Sequence, residues 1–234
     1  SELDLQFDSS RLTGKAAVKL SKRLSIDADL ILDRFNLDAY LSNVKTTAKP
    51  AAPGTAPAPT TKVKPSEGFS SGPLAALKNF DANFKSRIRT GVYGGAQVKN
   101  INLDLSLLNG SINVSNLSVD KLAGSSFKAS GLFDNIGGIP ELKGVRLDAK
   151  FNDLSRLFRL LGVSVPLISE AMGTVTLVGK IDGSALKPLV DLKVEGAGAS
   201  IETNGKVSFL PIVGGFDGNL KVVHGDLAGM FKFL

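Results

Sequence analysis

The chain contains no cysteine and no tryptophan, two tyrosines and a single histidine. Without cysteine there is no disulfide, no thiolate nucleophile and no cysteine-zinc site. One histidine, His224, excludes a multi-histidine metal centre or a histidine-based triad built from this chain alone. Beside Gly225-Asp226 it reads as a solvated turn residue. No window approaches the roughly 18 consecutive apolar residues of a membrane-spanning helix. The net charge of +6 is moderate, and no basic block, zinc-finger spacing or aromatic-basic interleaving points to nucleic acid. Diffuse attraction to anionic lipid head groups suits the charge equally well. There is no G-x-S-x-G elbow. Gly179-Lys180 runs into Ile181 without the upstream glycine spacing of a phosphate-binding loop. The carboxylates alternate along amphipathic stretches and nominate no acid–base pair, so neither catalysis nor a cofactor is expected. Two glycosylation-type triplets, Asn113-Val114-Ser115 and Asn116-Leu117-Ser118, are of a kind common by chance.

What is present is alternation. Ile101, Leu103, Leu105 and Leu107 alternate with Asn102, Asp104 and Ser106, and Asn109-Gly110 follows, a strong hairpin signal because both residues tolerate positive φ. A two-residue loop there pairs Leu108 with Ser111, Leu107 with Ile112 and Leu105 with Val114. Simple counting would then set Leu103 against Asn116. One bulge at Ser115-Asn116 restores Leu103 to Leu117 and Ile101 to Val119. The expected ribbon has one face of Ile101, Leu103, Leu105, Leu107, Ile112, Val114, Leu117 and Val119. These eight are the candidate contact residues of that face.

Similar strands are expected at Leu3–Phe7, Leu12–Leu20 and Leu24–Leu32, with a helical turn closing the block near Asp38–Leu41. Residues 49–60 are a Pro/Ala/Thr tract with nothing to bury, so 45–73 reads as a disordered linker. A short turn at Leu74–Leu77 leads to alternation at Phe80, Ala82, Phe84 and Ile88, with turns at Gly91 and at Gly94-Gly95. Phe127–Gly131 and Val145–Phe151 read as strands. Asp153 can cap a short amphipathic helix, about 153–162, that carries Leu154, Leu157, Phe158 and Leu161 on one side and Arg156 and Arg159 on the other. Strands resume at Val175–Ile181 and Val190–Val194. A hairpin with a three-residue loop at Asn204-Gly205-Lys206 would set Ile201 against Phe209, and Phe216–Val222 supplies the last strand. An apolar-Asp-Ala-x-apolar unit recurs at Ile26, Phe80 and Leu147, as related β modules would show. The division is therefore 1–44, end of a first β module; 45–73, linker; 74–136, a module with the Asn-Gly hairpin; and 137–234, a module with the helix. The chain opens and closes mid-pattern, as a segment of something longer would.

Three stretches carry a resemblance to the AsmA-like family of Gram-negative envelope proteins. Leu30 to Leu41 (LILDRFNLDAYL) is similar to that family's L-D-x-L-x-L-D-x-Y-L signature, with a Pro/Ala-rich insertion after it. Val92-Tyr93-Gly94-Gly95 through Asn109-Gly110 resembles its Y-G-G and N-G hairpin region. Leu154 to Gly162 followed by Pro166 resembles its short helix. The family's N-terminal inner-membrane helix has no counterpart here. The resemblance implies a non-enzymatic periplasmic segment, tethered to the inner membrane of a Gram-negative bacterium through a part absent from this chain. Its role would lie in outer-membrane assembly and homeostasis. The implied fold is mostly β: an elongated, curved antiparallel sheet forming an open groove, along which phospholipid acyl chains slide. Phospholipid and other envelope proteins are the implied partners. Periodicity alone favours a second arrangement over the groove, a closed β-sandwich acting as a non-transporting structural or interaction module.

Overall fold

The computed structural model describes residues 1–7, 10–20, 22–39, 77–160, 173–208 and 215–225. In chain order the elements are β1 (Glu2–Phe7), β2 (Ser10–Leu20), β3 (Leu24–Asn36), β4 (Phe80–Tyr93), β5 (Ala96–Leu108) and β6 (Ser111–Leu122). They continue with β7 (Ser125–Asp134), β8 (Glu141–Phe151), α1 (Leu154–Leu160), β9 (Val175–Ser184), β10 (Leu189–Gly196), β11 (Ala199–Ser208) and β12 (Gly215–His224). All twelve strands form one open sheet whose spatial order is the sequence order. The described strands therefore build no second sheet, and a two-layer sandwich is not what they make. The sheet runs without interruption across the expected module boundaries. The linker tract 45–73, the helix end at 161–162, Leu74 and Phe209 lie outside the described residues.

The hairpin reading holds residue by residue. Asn109 and Gly110 take φ of 52° and 77°, the doubly positive geometry of a two-residue loop. Leu107 pairs Ile112, Leu105 pairs Val114, Leu103 pairs Leu117 and Ile101 pairs Val119, with the register shift at the expected Ser115. Three expectations are corrected. First, the sheet is not wholly antiparallel: β3 and β4 run parallel, Leu24 opposite Phe80 and Leu32 opposite Ile88. A parallel pair needs a long crossover between opposite strand ends, which no hairpin loop can supply. The chain between residues 39 and 77 makes that connection. Second, Gly91 lies inside β4, and the turn is at Gly94-Gly95 alone.

Third, Asn204-Gly205 is no turn but the interior of β11, where Asn204 faces Asn219 and Gly205 faces Gly218. The turn lies earlier, at Ala197-Gly198, both at positive φ. The reason is close approach. A Cβ on Gly205 would meet the Asp217 carbonyl oxygen at 2.5 Å and the Gly218 Cα at 2.6 Å. The glycine pair serves the contact between strands and leaves chain reversal to other residues.

Register shifts recur through the middle of the sheet, between β5 and β6, twice between β6 and β7, and once each between β7 and β8 and between β8 and β9. The pairings β1–β2, β2–β3 and β9 through β12 have none. Each bulge bends its strand and adds twist, so curvature is concentrated in the centre. Burial follows it. Leu107, Val119 and Val145 are only 4–5% exposed without any second layer of described strands above them, as expected where curvature folds the apolar side chains over one another.

Candidate functional site

Following the register from strand to strand reveals what the twelve alternations build together. Leu5 pairs Leu12, which pairs Leu32, then Ile88, Ile101 and Val119. The same row continues through Phe127, Ala149, Leu177, Val194 and Ile201 to Val222. Every position on this line across the whole sheet is apolar. A neighbouring row runs from Leu3 through Leu30, Leu103, Leu117 and Leu147 to Leu192 and Leu220, interrupted only by small residues such as Gly14, Ser86 and Thr203. All eight candidate residues of the hairpin fall on this face, Ile101 and Val119 in the first row and Leu103 and Leu117 in the second. Leu105 with Val114, and Leu107 with Ile112, belong to two further rows. The strip beyond the hairpin was missed residue by residue, because alternation within a strand is legible but the order and register of strands are not.

The opposite face is polar, and across β1 to β5 its charges pair off. Glu2, Lys15, Asp29, Lys85 and Asp104 stand opposite one another on β1 to β5 with alternating sign. Ion pairs form at 3.8 Å between Lys15 and Glu2 and at 3.4 Å between Lys85 and Asp104. Lys193 reaches Glu195 at 2.7 Å and Glu202 at 3.8 Å. Such exposed pairs add little stability individually, but they fix which face meets water.

At the Asn109-Gly110 end, Asp134 accepts hydrogen bonds from Lys143 Nζ, at 2.7 Å, and from the Ser111 hydroxyl. The Lys143 bond first, then Ser111 and the Asn135 amide, lower its pKa to about 2. The trio pins β6, β7 and β8 side by side. It has no histidine, and no cluster of His, Cys, Asp or Glu among the described residues is arranged to hold a metal. His224 sits at the end of β12 with Nε2 3.2 Å from the Ala197 carbonyl oxygen.

One part of each stretch that carries the family resemblance, Asp38, Gly94-Gly95 and α1, meets the others at the opposite strand end. Asp38, in the helical turn after β3, accepts hydrogen bonds from the Gly94 and Gly95 amides at 2.6 and 2.9 Å. Its carboxylate thus fastens the end of β3 to the β4–β5 turn, across the parallel junction. Asp153 caps α1 as expected, accepting from the Arg156 amide at 2.8 Å. α1 has no fully buried residue. Its Leu160 Cδ1 lies 2.5 Å from where a Cβ on Gly94 would stand, so the end of the helix packs against that turn, where the φ of 56° favours glycine. Val98, Ser125 and Val175, at this same end of their strands, and Ala123 in the turn between β6 and β7 are all 1–6% exposed.

An open sheet with one continuous hydrocarbon surface, one ion-paired surface and a helix at one strand end is suited to holding long apolar molecules across its strands. No family model, curated protein or solved structure matches the chain.

Proposed function

We propose that this chain is a segment of a lipid-conducting groove, a non-catalytic carrier whose apolar face accommodates phospholipid acyl chains. The observation that carries the reading is the unbroken apolar row from Leu5 to Val222 across all twelve strands. A carrier of hydrocarbon needs a surface without a polar step, since each unpaired polar group met on the way costs free energy. The surface also stays uncovered towards its ends: Leu5 is 51%, Leu220 62% and Val222 50% exposed. Each half-exposed side chain of this size leaves roughly 1 kcal/mol of available burial unrealised, a cost that an acyl chain lying on the row would recover. The family resemblance fits the same reading and suggests the setting: a periplasmic protein tethered to the inner membrane and serving outer-membrane assembly. Its envelope-protein partners belong to the same proposal.

Native mass spectrometry of the purified chain tests it. Phospholipid should co-purify and be lost on replacing Leu105 and Val114 with aspartate, with the β-sheet circular dichroism retained. A lipid-free protein, together with unfolding of the double variant, would favour the non-transporting structural module instead.

A further inference from the structure

The two edges of the sheet differ. β12 has no described strand on its outer side, and every residue from Gly215 to Val223 is exposed. Its outward backbone N–H and C=O groups form a row open to another strand. Edges are ordinarily blunted by a proline, a bulge or an unmatched lysine. β12 has no proline and no register shift against β11. It has one lysine, Lys221, but Asp217 stands four residues earlier on the same face of the same strand.

That spacing makes the strand complementary to itself. An antiparallel copy centred on Asn219 sets Asp217 of each chain opposite Lys221 of the other. Phe216 then stands opposite Val222, and Gly218 opposite Leu220, so the apolar face continues across the joint. A register shifted by one residue would set apolar against polar side chains. Centring the pair on Asp217 or on Lys221 opposes like charges, and only Asn219 gives two ion pairs. On the polar face of β10 to β12 the facing charges already alternate: Lys193 with Glu202 at 3.8 Å, and Glu202 with Lys221 at 3.7 Å. The joint extends this series with Asp217 and Lys206 of the second copy, which face each other across β11 and β12. Lys221 is then shared between two carboxylates, as Lys193 is between Glu195 and Glu202.

β1 offers no such match. Its charges are Glu2 and Asp4, without a cation, so no self-pairing of β1 forms an ion pair. β1 and β12 run in the same direction. A second copy could therefore continue the apolar face from β12 into β1 only as a parallel pair, the weaker kind, and β1 holds nothing for Asp217.

We infer that the chain forms a two-fold dimer by joining β12 to β12, doubling the sheet and its apolar face. The inference stands on the edge and its charges, and does not require the lipid reading.

Sedimentation of the full chain from micromolar to millimolar concentration should show a monomer–dimer equilibrium. Asp217→Lys alone, or Lys221→Asp alone, turns two attractions into two repulsions and should weaken the dimer about tenfold or more. Mixing the two variants restores both ion pairs and should produce a heterodimer, which a role confined to one chain cannot do. The register has its own readout, because the chain contains no cysteine. Asn219→Cys should give a covalent dimer on mild oxidation, since facing Cα atoms about 4.5–5.5 Å apart lie within disulfide reach. Gln6→Cys on β1 should not. Rescue by mixing, or a disulfide preference for Asn219→Cys, supports the joint, and the absence of both overturns it. A monomer at every concentration overturns it as well; protection of the outward β12 amides in that monomer would give the edge to residues 226–234 of the same chain. A dimer that ignores both charge changes and is lost with Leu105→Asp would mean stacked apolar faces, and the β12 joint would fall.

Discussion

Val119 and Val222 occupy the same row of the same sheet, yet one is 5% and the other 50% exposed. The strands around Val119, β5 to β8, carry register shifts at every pairing. The pair β11–β12 has none, and no hydrophobic side chain of either strand is fully buried. Residue type and alternation are alike in the two regions. The difference is curvature, together with the number of neighbours each strand has. A bulged, curled stretch folds its apolar side chains over one another, whereas a regular stretch at the sheet's margin leaves them open. The centre therefore supplies stability, and the margins supply accessible hydrocarbon surface.

The comparison can be broken most forcefully from the centre. Replacing Leu107, 4% exposed, with alanine should cost about 3 kcal/mol by urea unfolding, the usual penalty for emptying a packed leucine site. A loss as small as that of a surface mutation would mean the curled centre is not a core. Next in size is Gly205→Val. Its Cβ would strike the backbone of β12, so roughly 2 kcal/mol and the hydrogen-exchange protection of β12 should be lost while β5 to β8 stay protected. Leu105→Asp, on the half-buried part of the face, should lower stability by only about 1 kcal/mol but abolish lipid capture. Val222→Asp should change stability by less than about 0.5 kcal/mol, as surface substitutions do. An effect at Val222 equal to that at Leu107 would erase the distinction between centre and margin.

The smallest effect concerns pH. Asp134 is held at about 2, well below its ordinary 3.8, by Lys143 and Ser111. A carboxylate with a depressed folded-state pKa contributes stability that is complete above the unfolded value and disappears as pH falls through the folded one. Asp134→Asn should therefore lower stability modestly at neutral pH, and the difference from the parent should vanish as pH falls from about 4 to 2, which flattens the acid limb. An identical acid limb in both proteins would show that the Asp134–Lys143 contact carries no weight.

The parts of this architecture written locally could be read directly. Asn109-Gly110 fixed its own turn, and the mismatch at Asn116 announced the bulge at Ser115, because the side-chain period of two tolerates no slip on an amphipathic face. Asp153 and the leucines after it announced α1 in the same way. What depends on distant partners was hidden. Asn204-Gly205 has the composition of a turn, but its glycine answers to Gly218 on the next strand, which no local pattern encodes. The parallel β3–β4 pair was masked by a tract whose composition describes only the connection. The meeting of Asp38 with Gly94-Gly95 joins residues more than fifty positions apart. Eight residues of the apolar strip were named in advance, and its extension across the sheet needed the register of every other strand.

The central claim is that the apolar face contacts lipid, and site-specific photo-crosslinking tests it most directly. Probes at Leu105 and Val114 report from the apolar face, and probes at Asp104 and Asn113 report from the polar one. The account predicts phospholipid adducts from the first pair and none from the second. Failure of both Leu105 and Val114, together with neighbouring apolar positions such as Leu103 and Leu117, would contradict it, as would equal capture from the two faces.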